Sequence, residues 1–296
     1  MLGAAMGIGM IFGPLLGGLL AHVTLPASPL LASLLQVTTD PATGQTINLS
    51  IPFFVSALLA LAVLPLIYFL LPESLPKERR IAQTSTGKSQ FHLLLEGLRG
   101  ESGFLYALAF LLAFALANME TVLALYGADR FNMGPAQVGF LMGAMGIVSV
   151  IQQGAVIGPL TRKAGEVRVI QGGLLAGILG FAAVAVAPTM LLMILAVLVL
   201  TSGNVLLQPS VTALISRRAG EGQGVAMGMN NSFQALGRAT GPLWAGVAFD
   251  IYSTLSFWTG ALIQLIALLA SLKLLHPAPA SAETEMGEGK HGAVAG

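Results

Sequence analysis

The chain has 296 residues, 55% of them hydrophobic and 9% charged, with a mean hydropathy of +0.82. A soluble domain carries roughly 25% charged residues, so this chain lacks the polar groups to cover a water-facing surface and needs lipid as its solvent. A net charge of +1 and no cysteine give no footing for a nucleic-acid partner, a disulfide framework, a thiolate metal site or a cysteine nucleophile.

Eight apolar segments follow one another at 2–23, 51–71, 103–126, 136–158, 169–187, 190–212, 223–250 and 254–275. Each has about the length of helix that crosses a bilayer core. The first holds Gly9, Gly13, Gly17 and Gly18 around Pro14. Glycines four residues apart form a stripe along one helix face, where a neighbouring helix can approach closely, and the proline bends the helix. No basic residue precedes His22, so the charged start of a secretion signal is missing. The connection 24–50 is rich in proline, serine and threonine, and "SPLLASLLQV" within it reads as a short interfacial helix. After the second segment comes a basic stretch, 73–102, with Lys77, Arg79, Arg80, Lys88 and Arg99.

The third segment contains Asn118 and Glu120. A carboxyl inside hydrocarbon is costly and needs a purpose, and binding and releasing a proton is one. Amides interrupt the later segments: Gln152 and Gln153, then Asn204 and Gln208, then Asn230, Asn231 and Gln234. Each i, i+4 pair shares a helix face and suits a polar cavity near the midplane; bonding between helices is the plainer use. Arg238, the one cation within a segment, reads either as a partner for an anion or as a packing anchor. Phe110, Phe114, Tyr126 and Trp244 either line an apolar pocket or face lipid. The four histidines are scattered, and no metal cluster is expected. The tail 277–296 reads as disordered.

Twelve of the 14 basic residues fall on one side of an eight-span path. Basic loops stay cytoplasmic, so both termini are expected there. The seventh segment repeats the first: "GRATGPLWAG" aligns on "GMIFGPLLGG", matching Gly237, Gly241, Pro242 and Gly246 to Gly9, Gly13, Pro14 and Gly18. Internal repeats of this kind build secondary transporters. There is no P-loop and no H-E-x-x-H, Ser-His or paired-aspartate site within the spans, so neither an ATP-driven pump nor a membrane enzyme is expected, and no cofactor is implied.

These motifs resemble the major facilitator superfamily, in its drug:proton antiporter branch, which includes tetracycline-type efflux proteins. "GIGMIFGPLLGG" is similar to that branch's antiporter motif on the family's fifth helix, and "LPESLP" to the end of the sixth. "GPLTRKAGEVR", with Gly158, Arg162, Lys163, Gly165 and Arg168, is similar to the second copy of the family's cytoplasmic loop motif. It departs from the pattern at Arg162, where the family has an acid, and at Glu166, where the family often has a base. The resemblance implies an all-α helical bundle corresponding to family helices 5–12, with the first four absent. It further implies two helices of one bundle (1–72), an inter-bundle loop (73–102), a complete six-helix bundle (103–276) and a tail. The implied function is proton-coupled efflux of small amphipathic compounds by a monomer in the inner membrane. Alternatives are a remnant that transports nothing and an uptake member.

Overall fold

The computed structural model describes residues 2–21, 37–39, 46–48, 50–70, 97–100, 102–219 and 223–275. Among the described residues eight long helices run in chain order: α1 (Leu2–Leu20), α2 (Ile51–Leu70), α3 (Gly103–Phe131), α4 (Pro135–Ile151), α5 (Ile157–Val186), α6 (Met190–Ala219), α7 (Gln223–Ile251) and α8 (Leu255–Leu274). They follow the eight apolar segments, with α3 and α6 running further at their C-terminal ends, α4 ending earlier and α5 starting well before its expected segment 169–187. Five stretches among the described residues are long and apolar enough to cross a membrane. One of them, Pro135–Val186, holds both α4 and α5. The fold is a helical membrane bundle. Most of the basic stretch 73–102, most of the expected interfacial helix, the histidines and the tail lie outside the described residues.

The chain divides into two compact units, 1–96 with 127–146, and 97–126 with 147–296. In the first, α1 packs on α2. Two short strands, β1 (Val37–Thr39) and β2 (Thr46–Asn48), pair antiparallel, with Thr38 opposite Ile47. The hairpin is tied back to α1 by the Asn48 N–H, which donates to the Ala21 carbonyl at 2.7 Å. This hairpin is absent from the sequence expectation. The close approach of α1 to α4 falls at Gly18: a Cβ there would sit 2.7 Å from the Pro135 carbonyl oxygen and 3.1 Å from the Gly139 Cα. A Cβ on Gly9, Gly13 or Gly17 would meet nothing within 4 Å among the described residues. The expected stripe is present on the helix, but the contact uses its neighbour. Most large side chains of α2, from Phe53 to Leu70, are exposed, as they would be against lipid.

The second unit is centred on α5, α6 and α8. Leu174, Phe181, Met193, Leu200 and Phe257 are fully buried there. Small residues let the backbones close up: a Cβ on Gly203 would lie 2.7 Å from the Gly173 carbonyl oxygen, and one on Gly260 would strike the Phe181 ring. Along α3, Gly237 of α7 faces Phe110 and Phe114, and Gly241 faces Phe114 and Asn118. Both numbers rise together, so α3 and α7 run parallel, as helices separated by four passes must. Tyr126 is buried edge-on against Phe257, with ring centroids 4.9 Å apart, which makes it a core residue and not a pocket wall.

The segment expected to be a loop, 158–168, is helical on both sides of one residue. After a π-helical turn at Gln152–Val156 the helix continues as α5, and it breaks at Gly165, with φ 76° and ψ 156°. That backbone region is open essentially to glycine alone. Glu166, just past the break, is buried and accepts an ion pair from Arg217 of α6 at 2.9 Å. Nothing lies within 4 Å of a Cβ built on Gly165, so an added methyl meets backbone strain without crowding. Gly165→Ala is therefore expected to cost about 1–3 kcal/mol, measurable as a lower melting temperature of the purified chain in detergent.

Candidate functional site

The polar residues singled out from the sequence separate into three places in the second unit. Asn118 is fully buried and donates from Nδ2 to the Ser256 carbonyl at 2.9 Å. It ties α3 to the start of α8, while its Oδ1 is buried without a partner. Asn204 is also buried. Its Oδ1 accepts from Gln264 Nε2 at 2.6 Å, within the α5–α6–α8 core, where a Cβ on Gly177 would collide with Gln264. The shared face expected for Asn204 and Gln208 is thus divided between two surroundings, one facing the core and one facing a groove. Gln264 did not emerge from the sequence as a candidate, although one amide alone in "GALIQLIALLA" is the same signal that marks the others.

The groove lies between α6 and α7. It is an open groove of about 560 Å³ lined by Gln208, Pro209, Thr212, Ala213, Ser216, Met227, Asn230, Asn231 and Gln234. Pro209 lies inside α6 and has no N–H to give, so the bond that would tie it to the preceding turn is missing beside the groove. Asn230 Nδ2 points to Thr212 Oγ1 at 3.4 Å across the two helices. Asn230 Oδ1 and Gln208 Nε2 are buried without partners. Gln152 sits in the π-helical turn of the preceding helix pair, with its Oε1 also buried and unpartnered. It is not among the groove-lining residues.

The third place holds the charges. Arg238, exposed on α7, donates from Nη2 to Gln234 Oε1 at 3.3 Å, one turn back. Glu120 on α3 is near enough for the Arg238 charge to act on its carboxyl. Arg238, bonded to Gln234 of the groove wall, is thus the charged neighbour of the Glu120 carboxyl. Of the packing glycines, Gly237 and Gly241 are pressed against α3, while Gly246 has open space. Pro242 lies inside α7 and Pro14 inside α1. Arg162, Lys163, Arg168 and Gly158 are exposed around the Gly165 break. Trp244 is held by a bond from Nε1 to Thr259 Oγ1 at 3.1 Å, and Phe110 and Phe114 face each other at 6.1 Å. Among the described residues no group of three or more His, Asp or Glu could hold a metal ion.

The Major Facilitator Superfamily model matches residues 1–242. The chain belongs to that superfamily. It is 28% identical to Multidrug resistance protein 2 of Bacillus subtilis (strain 168) over 271 residues, 90% of this chain and 61% of that protein. It is 28% identical to Multidrug resistance protein 1 of the same organism over 95% of this chain and 65% of that protein. It is 30% identical to the class G tetracycline resistance protein of Vibrio anguillarum over 90% of this chain and 63% of that protein. The chain thus spans less than two thirds of the length of these relatives. Among solved structures, the human organic anion transporter MFSD10 (TETRAN) shares the fold, with a TM-score of 0.55, 20% identity, and coverage of 88% of this chain and 67% of that one. This superfamily member is a multi-pass membrane protein.

Proposed function

We propose that this superfamily member takes part in proton-coupled efflux of small amphipathic compounds by alternating access. The Glu120 carboxyl with its charged neighbour Arg238, itself bonded to Gln234 of the groove wall, carries the reading. A carboxyl that gains or loses a proton changes the charge opposite Arg238, and Arg238 holds part of the wall against which a compound would rest. The names of the multidrug and tetracycline resistance relatives support the substrate class. Residues 1–72 would close one bundle, 73–102 would link it to a six-helix bundle at 103–276, and the tail 277–296 would follow. Both termini would face the cytoplasm, a placement that the distribution of basic residues supports, and the chain would act as a monomer. The test uses the purified chain in liposomes carrying an imposed pH gradient, acid inside. Tetracycline is expected to accumulate inside and to leak out when a protonophore is added. Accumulation that ignores both the gradient and the protonophore overturns the reading.

A further inference from the structure

The chemistry of the groove between α6 and α7 is more selective than efflux in general requires. Its polar lining among the described residues consists of Gln208, Thr212, Ser216, Asn230, Asn231 and Gln234, none of them ionisable. Asn230 is only 2% exposed, yet its Oδ1 has no partner, and neither has Gln208 Nε2. Buried polar atoms are nearly always bonded; atoms of Asn118, Gln152, Asn204 and Gln264 are also unpartnered, but Asn230 and Gln208 are the two whose unpartnered atoms belong to groove-lining residues, where ligand atoms can reach them. An amide turned end for end exchanges donor for acceptor, so the wall offers both kinds of bond and no net charge. Arg238 sets a positive charge at the edge through Gln234. Glu120, the carboxylate within reach of that charge, does not line the groove. A permanent cation would therefore meet a like charge and find no counter-charge on the wall.

We propose that this groove selects uncharged compounds with a carboxamide-like edge, donor beside acceptor, and rejects permanent cations. The inference rests on the efflux reading for the purpose of the groove, not for what it binds.

The experiment is equilibrium binding to the purified full chain in detergent, without any gradient. The probes are 2-aminobenzamide, which is neutral and fluorescent, its N,N-dimethylamide, which keeps the acceptor but loses the amide donors, and tetraphenylphosphonium. Saturable binding of 2-aminobenzamide is expected, at least tenfold weaker for the dimethylamide, with no displacement by a tenfold excess of tetraphenylphosphonium. Gln208→Leu and Asn230→Leu should each weaken 2-aminobenzamide at least tenfold. The proposal is overturned by absent saturable binding, by equal affinity for the dimethylamide, by displacement with the cation, or by two variants that bind as the parent does. The dimethylamide and cation arms use the unaltered chain, so they decide the question even where a variant folds poorly. A chain that binds in this pattern but moves nothing on a gradient would sink the efflux reading alone. A chain that pumps tetraphenylphosphonium with Gln208→Leu unaffected would sink this proposal alone.

Discussion

Gly237→Val is expected to strip the second unit of much of its stability, lowering the melting temperature in detergent by about 6–12 °C, the equivalent of about 3 kcal/mol or more. A Cβ at this position already falls 2.5 Å from the Phe110 carbonyl oxygen and 2.8 Å from the Phe114 nitrogen. These are backbone atoms of a helix and cannot swing aside as a side chain would. Two added methyls therefore force α7 away from α3, and the contacts on either side of the glycine are lost with it. Gly246→Val supplies the control within the same motif. Nothing lies within 4 Å of its Cβ, so its melting temperature should stay within about 2 °C of the parent. Equal effects at the two positions would show that the glycines serve helix flexibility in general and not this contact.

Glu120→Gln is expected to abolish gradient-driven accumulation, by tenfold or more, while changing 2-aminobenzamide binding less than threefold. The amide keeps the size and hydrogen-bonding capacity of the carboxyl but cannot take up or give off a proton in the physiological range. Glu120 does not line the groove, so affinity should survive. Because Arg238 acts on the same carboxyl, adding Arg238→Gln to Glu120→Gln should cost less than the two single changes together. This is the mark of coupled positions in a double-mutant cycle. Counterflow exchange in the absence of a gradient, measured in the same liposomes, separates lost coupling from lost transport. A Glu120→Gln chain that still concentrates tetracycline would remove the carboxyl from the proton path.

The helices are legible because lipid imposes a simple rule, an apolar run of about 20 residues per crossing, which α2, α3, α6 and α8 and the joined α4–α5 stretch meet. The site is legible only in part. Gln208, Asn230 and Gln234 stand out in the sequence as polar interruptions and do line one groove. Asn118 and Asn204 give the same signal but serve as ties between helices. Sequence spacing fixes the face of a helix; it does not say which neighbour that face meets. The break at Gly165 is hidden for another reason. Its flanks, Arg162, Lys163 and Glu166, are charged, and charge reads as loop, whereas the structure turns the chain with one residue. The hairpin at 37–48 lies in a proline- and threonine-rich connection too short of periodicity to announce three-residue strands.

The parallel seam at Gly237 and Gly241 has a mechanical consequence. At these two positions the backbones of α3 and α7 meet with only the methyls of Ala113 and Ala117 beside them, so the proposed protonation site on one and the part of the groove wall on the other would travel together. On the proposed reading, whatever tilts the protonation site would tilt the cargo's resting place with it. Synchrony of this sort needs no messenger, because stiffness alone supplies it.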